Sequence, residues 1–100
     1  MNKDTQQRRM SKAFKALSNP NRLQIYMEVL AHRQSGIAAP EAGCGVADLI
    51  SKMNIGAPTI SHHVKELVSA ELIDVEKNGK FVTCHLNEET YLEIQNFFAN

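Results

Sequence analysis

The chain has 100 residues, 43% hydrophobic and 22% charged, which fits one globular domain with a modest core and excludes a disordered chain. No apolar run approaches the roughly 20 residues of a membrane span, and two cysteines are too few for a disulfide framework, so a reducing compartment is expected. Eleven basic side chains balance eleven acidic ones, a neutral total that weighs against nucleic acid, although Lys3, Arg8, Arg9, Lys12 and Lys15 crowd one end and Glu88, Glu89 and Glu93 the other.

The opening residues lack the apolar stretch of a secretory signal, so a cytoplasmic protein is expected. Residues 1–6 read as frayed. From 7 to 17, Met10, Phe14 and Leu17 recur at helical spacing, with Ala13 and Ala16 beside them. Ser18-Asn19-Pro20 ends this helix and starts a second, with Asn19 as its cap and Pro20 at its first position. The second helix runs to about His32 and is expected to bury Leu23, Tyr26, Met27 and Leu30. Three glycines and a proline between Arg33 and Gly45 then predict a long loop. Its Cys44 is expected to be exposed, which makes it the candidate thiol sensor.

Val46, Leu49, Ile50 and Met53 line one side of a short third helix. Asn54-Ile55-Gly56-Ala57 turns the chain, and Pro58 opens a fourth helix. In it Ile60, Val64, Leu67 and Val68 form a buried stripe at i, i+4, i+7 and i+8. Thr59, His62, His63 and Glu66 fall opposite, flanked by Ser61 and Lys65. A solvated face is usually written in Lys and Glu; this one begins in short hydrogen-bonding groups that can approach base edges. Residues 46–70 therefore read as a helix-turn-helix.

Directly after, residues 72–86 read as a hairpin wing. Asn78-Gly79 is placed at a type I′ turn, Ile73 and Val75 alternate on one strand, and Val82, Cys84 and Leu86 alternate on the other. Lys77 and Lys80 bracket the tip. Asn87 caps a last helix that suits Glu88 and Glu89 at its positive end. The fold expected is mostly α with a small β-hairpin: one domain over 1–100, a winged helix-turn-helix of about five helices and a two-stranded wing.

The terminal helices, 7–17 and 87–99, add more apolar surface than a closed winged helix needs, and such a surface marks an interface. Met10, Phe14, Leu17, Tyr91, Ile94, Phe97 and Phe98 are the candidate contacts of a homodimer. Thr59, Ser61, His62 and His63 are the candidate base readers, with Lys65, Lys77 and Lys80 mainly toward phosphates and Asn78 as a further DNA-binding candidate. His62 and His63, adjacent on a helix, point about 100° apart and do not chelate one ion easily. No nucleophile–base set, phosphate loop or carboxylate pair stands out, so neither enzyme activity, nor a metal, nor a cofactor is expected. The alternative that stays open is a winged-helix dimer that binds protein rather than DNA.

The order Phe14-Lys-Ala-Leu-Ser-Asn-Pro-Asn-Arg-Leu23, Val46-Ala-Asp-Leu49, Thr59-Ile-Ser-His-His-Val-Lys-Glu-Leu67, Leu72-Ile73, a wing with Gly79, and Leu86-Asn87 closely resembles the ArsR/SmtB family of bacterial winged-helix repressors. The likeness spans about residues 10 to 98. It implies a cytoplasmic, nucleoid-bound homodimer that holds double-stranded operator DNA and leaves it when an inducer binds. The inducer sites of that family are not matched. Gly45 and Ala47 stand where its arsenic and cadmium type has Cys-x-Cys, the last helix has no histidine for its zinc type, and the second and last helices have no cysteine for its persulfide type. The inducer is left open. Ala57-Pro58 also departs from the Gln and Ser frequent at the start of the family's reading helix.

Overall fold

In the computed structural model, which describes residues 3–34 and 44–99, five helices pack around one core and a three-stranded sheet. The chain order is α1 (Lys3–Leu17), α2 (Pro20–Gln34), β1 (Cys44–Gly45), α3 (Val46–Met53), α4 (Ala57–Ser69), β2 (Ile73–Asn78), β3 (Phe81–Leu86) and α5 (Glu88–Phe97).

Helix α1 starts earlier than periodicity predicts. Nothing in residues 3–6 breaks a helix, and Asp4 suits the positive end. Asn19 caps α2 as expected, its Oδ1 accepting from the backbone N–H of Asn21 at 2.9 Å and of Arg22 at 3.1 Å. The face that α2 buries is rotated from the expected one. Ile25, Tyr26 and Val29 are buried and Leu30 partly so, whereas Leu23 and Met27 are 42% and 59% exposed. Two apolar stripes overlap on this helix. The packed one is led by Arg22, whose Nε donates to the Ala16 carbonyl at 2.8 Å and pins α2 against α1.

The stretch from Arg33 to Gly45, expected as loop, begins inside α2 and ends in a strand; residues 35–43 lie outside the described residues. Cys44 and Gly45 pair with Cys84 and Thr83, so the sheet has three antiparallel strands in the order β1-β3-β2 rather than two. The wing turn is also shifted by one residue. Asn78 pairs with Phe81, which leaves Gly79 and Lys80 at the tip, and of these only Gly79 has a positive φ, at 64°. That sign pattern belongs to a type II′ turn with glycine first.

The end of α4 decides where the wing begins. Ala70 is the C-cap, Glu71 adopts the left-handed conformation at φ 62°, and Leu72 returns to the core. The Glu71 N–H donates to the Val68 carbonyl at 2.9 Å and the Leu72 N–H to the Leu67 carbonyl at 3.0 Å, the paired bonds of a Schellman motif. Leu67 and Leu72, both fully buried, supply its apolar contact. The Leu72 carbonyl accepts from the Asn87 N–H at 3.2 Å, and the Asn87 side chain caps α5 through the Thr90 N–H at 3.0 Å. One residue thus joins the end of α4, the base of the wing and the start of α5.

A β-carbon in the left-handed region costs about 1 kcal/mol or more, which glycine avoids. The exposed ion pair that Glu71 makes with Arg9 is lost equally in glycine and alanine variants. Glu71→Gly should therefore be more stable than Glu71→Ala by about 1 kcal/mol in urea unfolding. Equal midpoints for the two variants would show that the cap carries no backbone strain.

Candidate nucleic-acid interface

Helix α4 is held by Ile60, Val64 and Leu67, all buried, while Val68, the fourth residue of the expected stripe, is 38% exposed. Its start is fixed by backbone, with the N–H groups of Thr59 and Ile60 both donating to the Gly56 carbonyl at 3.1 Å. Asn54 takes the left-handed turn that ends α3, and Gly56 leads into α4 with Pro58 in the first turn. This leaves Thr59, Ser61, His62, Lys65 and Glu66 exposed along the outer face.

Ser61 and Lys65 share a groove of about 490 Å³ with Lys77 of the wing, over a floor of Val64, Val68, Val75 and Val82. Lys80 stands at the hairpin tip. It lines a second groove of about 470 Å³ with Asp48 and Ile50 of α3, and its ammonium sits 5.7 Å from the centre of the Phe81 ring. Asn78 is exposed at the end of β2. The two wing lysines, which the sequence treats as one bracket, therefore line two different grooves, which adjoin at Val46 and Val82.

His63 departs from expectation. Its residue exposure is 7%, against the open face of His62, so it does not stand among the outward groups. At i+3 and i+4 from Ile60 and Thr59 it sits on the boundary of the stripe, within electrostatic reach of Arg22. Its Nδ1 is buried without a hydrogen-bond partner. Burial, reinforced by the Arg22 guanidinium and by His62, holds its pKa below the ordinary 6.5.

Two features were missed. Lys12, Lys15 and Arg22 gather with Glu66 and Ser69 around a smaller groove of about 230 Å³, which places the basic N-terminal cluster beside the far side of α4. Phe81 is 66% exposed at the wing tip. The alternation that sends Val82, Cys84 and Leu86 inward is the signal that turns Phe81 outward.

The terminal helices meet through rings. Phe14 stacks on Phe98 at 5.7 Å and 15°, lies 6.0 Å from Phe97, and the latter two meet edge-on at 4.8 Å. Phe98 remains 76% exposed and Leu92 57%. Met10, a candidate interface residue, is 1% exposed within this single chain and has no surface to offer a partner. Leu17, Tyr91 and Ile94 are partly covered by the core. Cys44 is corrected in the same way: it is 1% exposed, and burial, reinforced by Glu28, pushes its thiol up to about 11. A thiol so placed is neither exposed nor activated. Among the described residues no three His, Cys, Asp or Glu side chains converge as metal ligands, and no helix is long and apolar enough to cross a membrane.

A family model described as a helix-turn-helix domain matches residues 17–76. The chain is 35% identical over 83 residues to the arsenical resistance operon repressor of Staphylococcus xylosus, covering 80% of this chain and 67% of that protein. It is 31% identical over 91 residues to the transcriptional repressor SdpR of Bacillus subtilis, covering 91% and 90% of the two chains. The chain belongs to the ArsR family of winged-helix regulators. Solved ArsR-family structures share the fold. The crystal structure of one ArsR family transcriptional regulator superposes with a TM-score of 0.72 at 18% identity, over 92% of this chain and 84% of that one. A homodimeric winged helix-turn-helix DNA-binding domain from Mycobacterium bovis gives 0.70 at 18% identity, over 97% and 82%. The transcriptional repressor BigR from Xylella fastidiosa gives 0.65 at 22% identity, over 97% and 94%.

The lowered pKa of His63 has a consequence for stability. The unfolded chain binds the proton more readily, so stability is complete above pH 6.5 and is lost as the pH falls below it. His63→Gln should flatten the acid limb of a stability-against-pH curve while leaving the alkaline side unchanged. Superimposable curves below pH 6.5 would remove this assignment.

Proposed function

We propose that the chain is a sequence-specific DNA-binding transcriptional regulator, a homodimeric repressor that leaves its operator when an inducer binds. The observation that carries this reading is the polar outer face of α4 rising beside the wing, with Ser61, Lys65 and Lys77 on one groove. The helix has the width and chemistry to enter a major groove, and the hairpin stands where the neighbouring backbone would pass. Thr59, Ser61 and His62 are assigned to base edges. Lys65, Lys77, Asn78 and Lys80 are assigned to phosphates, and Lys12 and Lys15 join them on the other flank of α4. His63 is reassigned from reading to holding the helix, on account of its burial.

Two copies joined through α1 and α5 would bury Phe98 and Leu92 and set two reading helices about one DNA turn apart, roughly 34–36 Å. The names of its relatives, both repressors, favour the same direction of control. Such a protein works in the bacterial cytoplasm on nucleoid DNA, and no catalytic role is assigned to it. The inducer is not named by any residue here, and Gly45 and Ala47 hold no thiol at the positions of the family's Cys-x-Cys.

A shift assay on the DNA upstream of its own gene, run across a salt series, tests the reading. His62→Ala should reduce discrimination between operator and random DNA by about 1–3 kcal/mol. Lys77→Ala should weaken all sequences alike and flatten the salt slope by about one unit. Binding that ignores salt, or no binding to duplex DNA, would favour the protein-interaction module instead.

Phe98→Asp tests the dimer. The side chain is mostly solvated in the single chain, so folding should survive, whereas burying the unpaired carboxylate between copies costs several kcal/mol. Sedimentation at micromolar concentration should show a dimeric wild type and a monomeric variant. A monomeric wild type would remove the two-fold arrangement.

A further inference from the structure

Cys44 and Cys84 lie far apart in the sequence, yet they are directly opposed partners in the β1–β3 ladder. Both are free thiols, 1% and 0% exposed, and neither takes part in the interface described above. They are also the only two cysteines of the chain. We propose that this pair is a site of covalent modification, forming a reversible intrachain disulfide with a hydroperoxide as oxidant.

The ladder supplies the geometry. Directly opposed residues of antiparallel strands have α-carbons about 4.5 or 5.5 Å apart, inside the range of about 4.4–6.8 Å that disulfides span. Their β-carbons stand about 4.5–5.5 Å apart, against about 3.5–4.5 Å in a disulfide. The strands must close slightly to make the bond, and a bond made under strain is more readily reduced. Strand β1 allows that closure. It is two residues long, at the sheet edge, paired only with β3. Its local opening is also what admits the oxidant to a buried thiol.

The chemistry balances with hydrogen peroxide. The Cys44 sulfur attacks one peroxide oxygen, the O–O bond breaks, and the leaving hydroxide takes the thiol proton as water, leaving a sulfenic acid. The Cys84 sulfur attacks that sulfur, the S–O bond breaks, and the departing oxygen leaves with the second thiol proton as another water. The two sulfurs together give up two electrons, and one peroxide becomes two waters. Burial pushes the two thiols up to about 11 and about 12, which makes the first step slow. The second step has its partner already opposite, so the sulfenic acid does not accumulate. The bond would join the residue before the Gly45 cap of α3 to the return strand of the wing.

The test uses the full reduced chain treated with hydrogen peroxide, without DNA, so that it is independent of the proposed function. Wild type should lose both thiols in a denatured titration, lose the mass of two hydrogens, and yield a joined peptide containing Cys44 and Cys84. Dithiothreitol should restore the starting mass. Cys44→Ser and Cys84→Ala, the first on the edge strand and so tolerated if the second is not, should each fail to give this product. Retention of both thiols, gain of oxygen without cross-linking, or a disulfide between chains in wild type would overturn the proposal.

Discussion

The anchoring of α4 is the constraint on which the rest depends. Ile60, Val64 and Leu67 each lose nearly all their exposure, and burying a side chain of this size is worth about 1.5–3 kcal/mol. That burial fixes the rotation of the helix about its axis. The outer face then has to carry Thr59, Ser61, His62 and Lys65 together, and a rotation that hid any of them would expose the stripe. The Schellman bonds beyond Ser69 set where the helix stops, and hence which wing residues face the groove.

Charge is distributed to the same end. Arg9 reaches Glu93 at 2.7 Å, Glu71 at 3.1 Å and the Thr90 hydroxyl at 3.4 Å, tying α1 to α5 and to the end of α4. Arg33 pairs with Glu88 and Lys52 with Glu28. Exposed pairs of this sort contribute little energy, but they occupy acidic groups away from the reading face. Among the described residues Lys65 and Lys77 enter no ion pair. A chain with no net charge can therefore keep a positive field where α4 and the wing meet.

Much of this was legible in the sequence wherever the deciding interaction is local. Asn19 and Asn87 cap because their side chains reach N–H groups two or three residues on, and the α4 stripe and wing alternation are periodic. The residues that were misplaced depend on distant neighbours. His63 sits at the edge of the α4 stripe and Met10 within the α1 stripe, and whether a stripe is covered by its own chain or by a partner is not encoded beside it. Ile25 was passed over for Leu23 because α2 is apolar on two overlapping faces and Arg22 selects between them. Cys44 read as a loop thiol because its strand has two residues and exists only through pairing with β3. The tip moved by one residue because glycine suits either turn, and cross-strand register chose between them.

The stapling of Leu72 to Asn87 has a bearing on how such a domain diversifies. Both feet of the hairpin are tied at one point, the Leu72 carbonyl and the Asn87 N–H 3.2 Å apart. Residues added to or removed from the tip in matched pairs, one per strand, keep every inward side chain inward and leave the start of α5 where it was. A single unmatched insertion would turn a whole strand over. Lineages are thus free to lengthen, shorten or recharge the hairpin as a detachable appendage, while the helices beneath inherit no disturbance from the change.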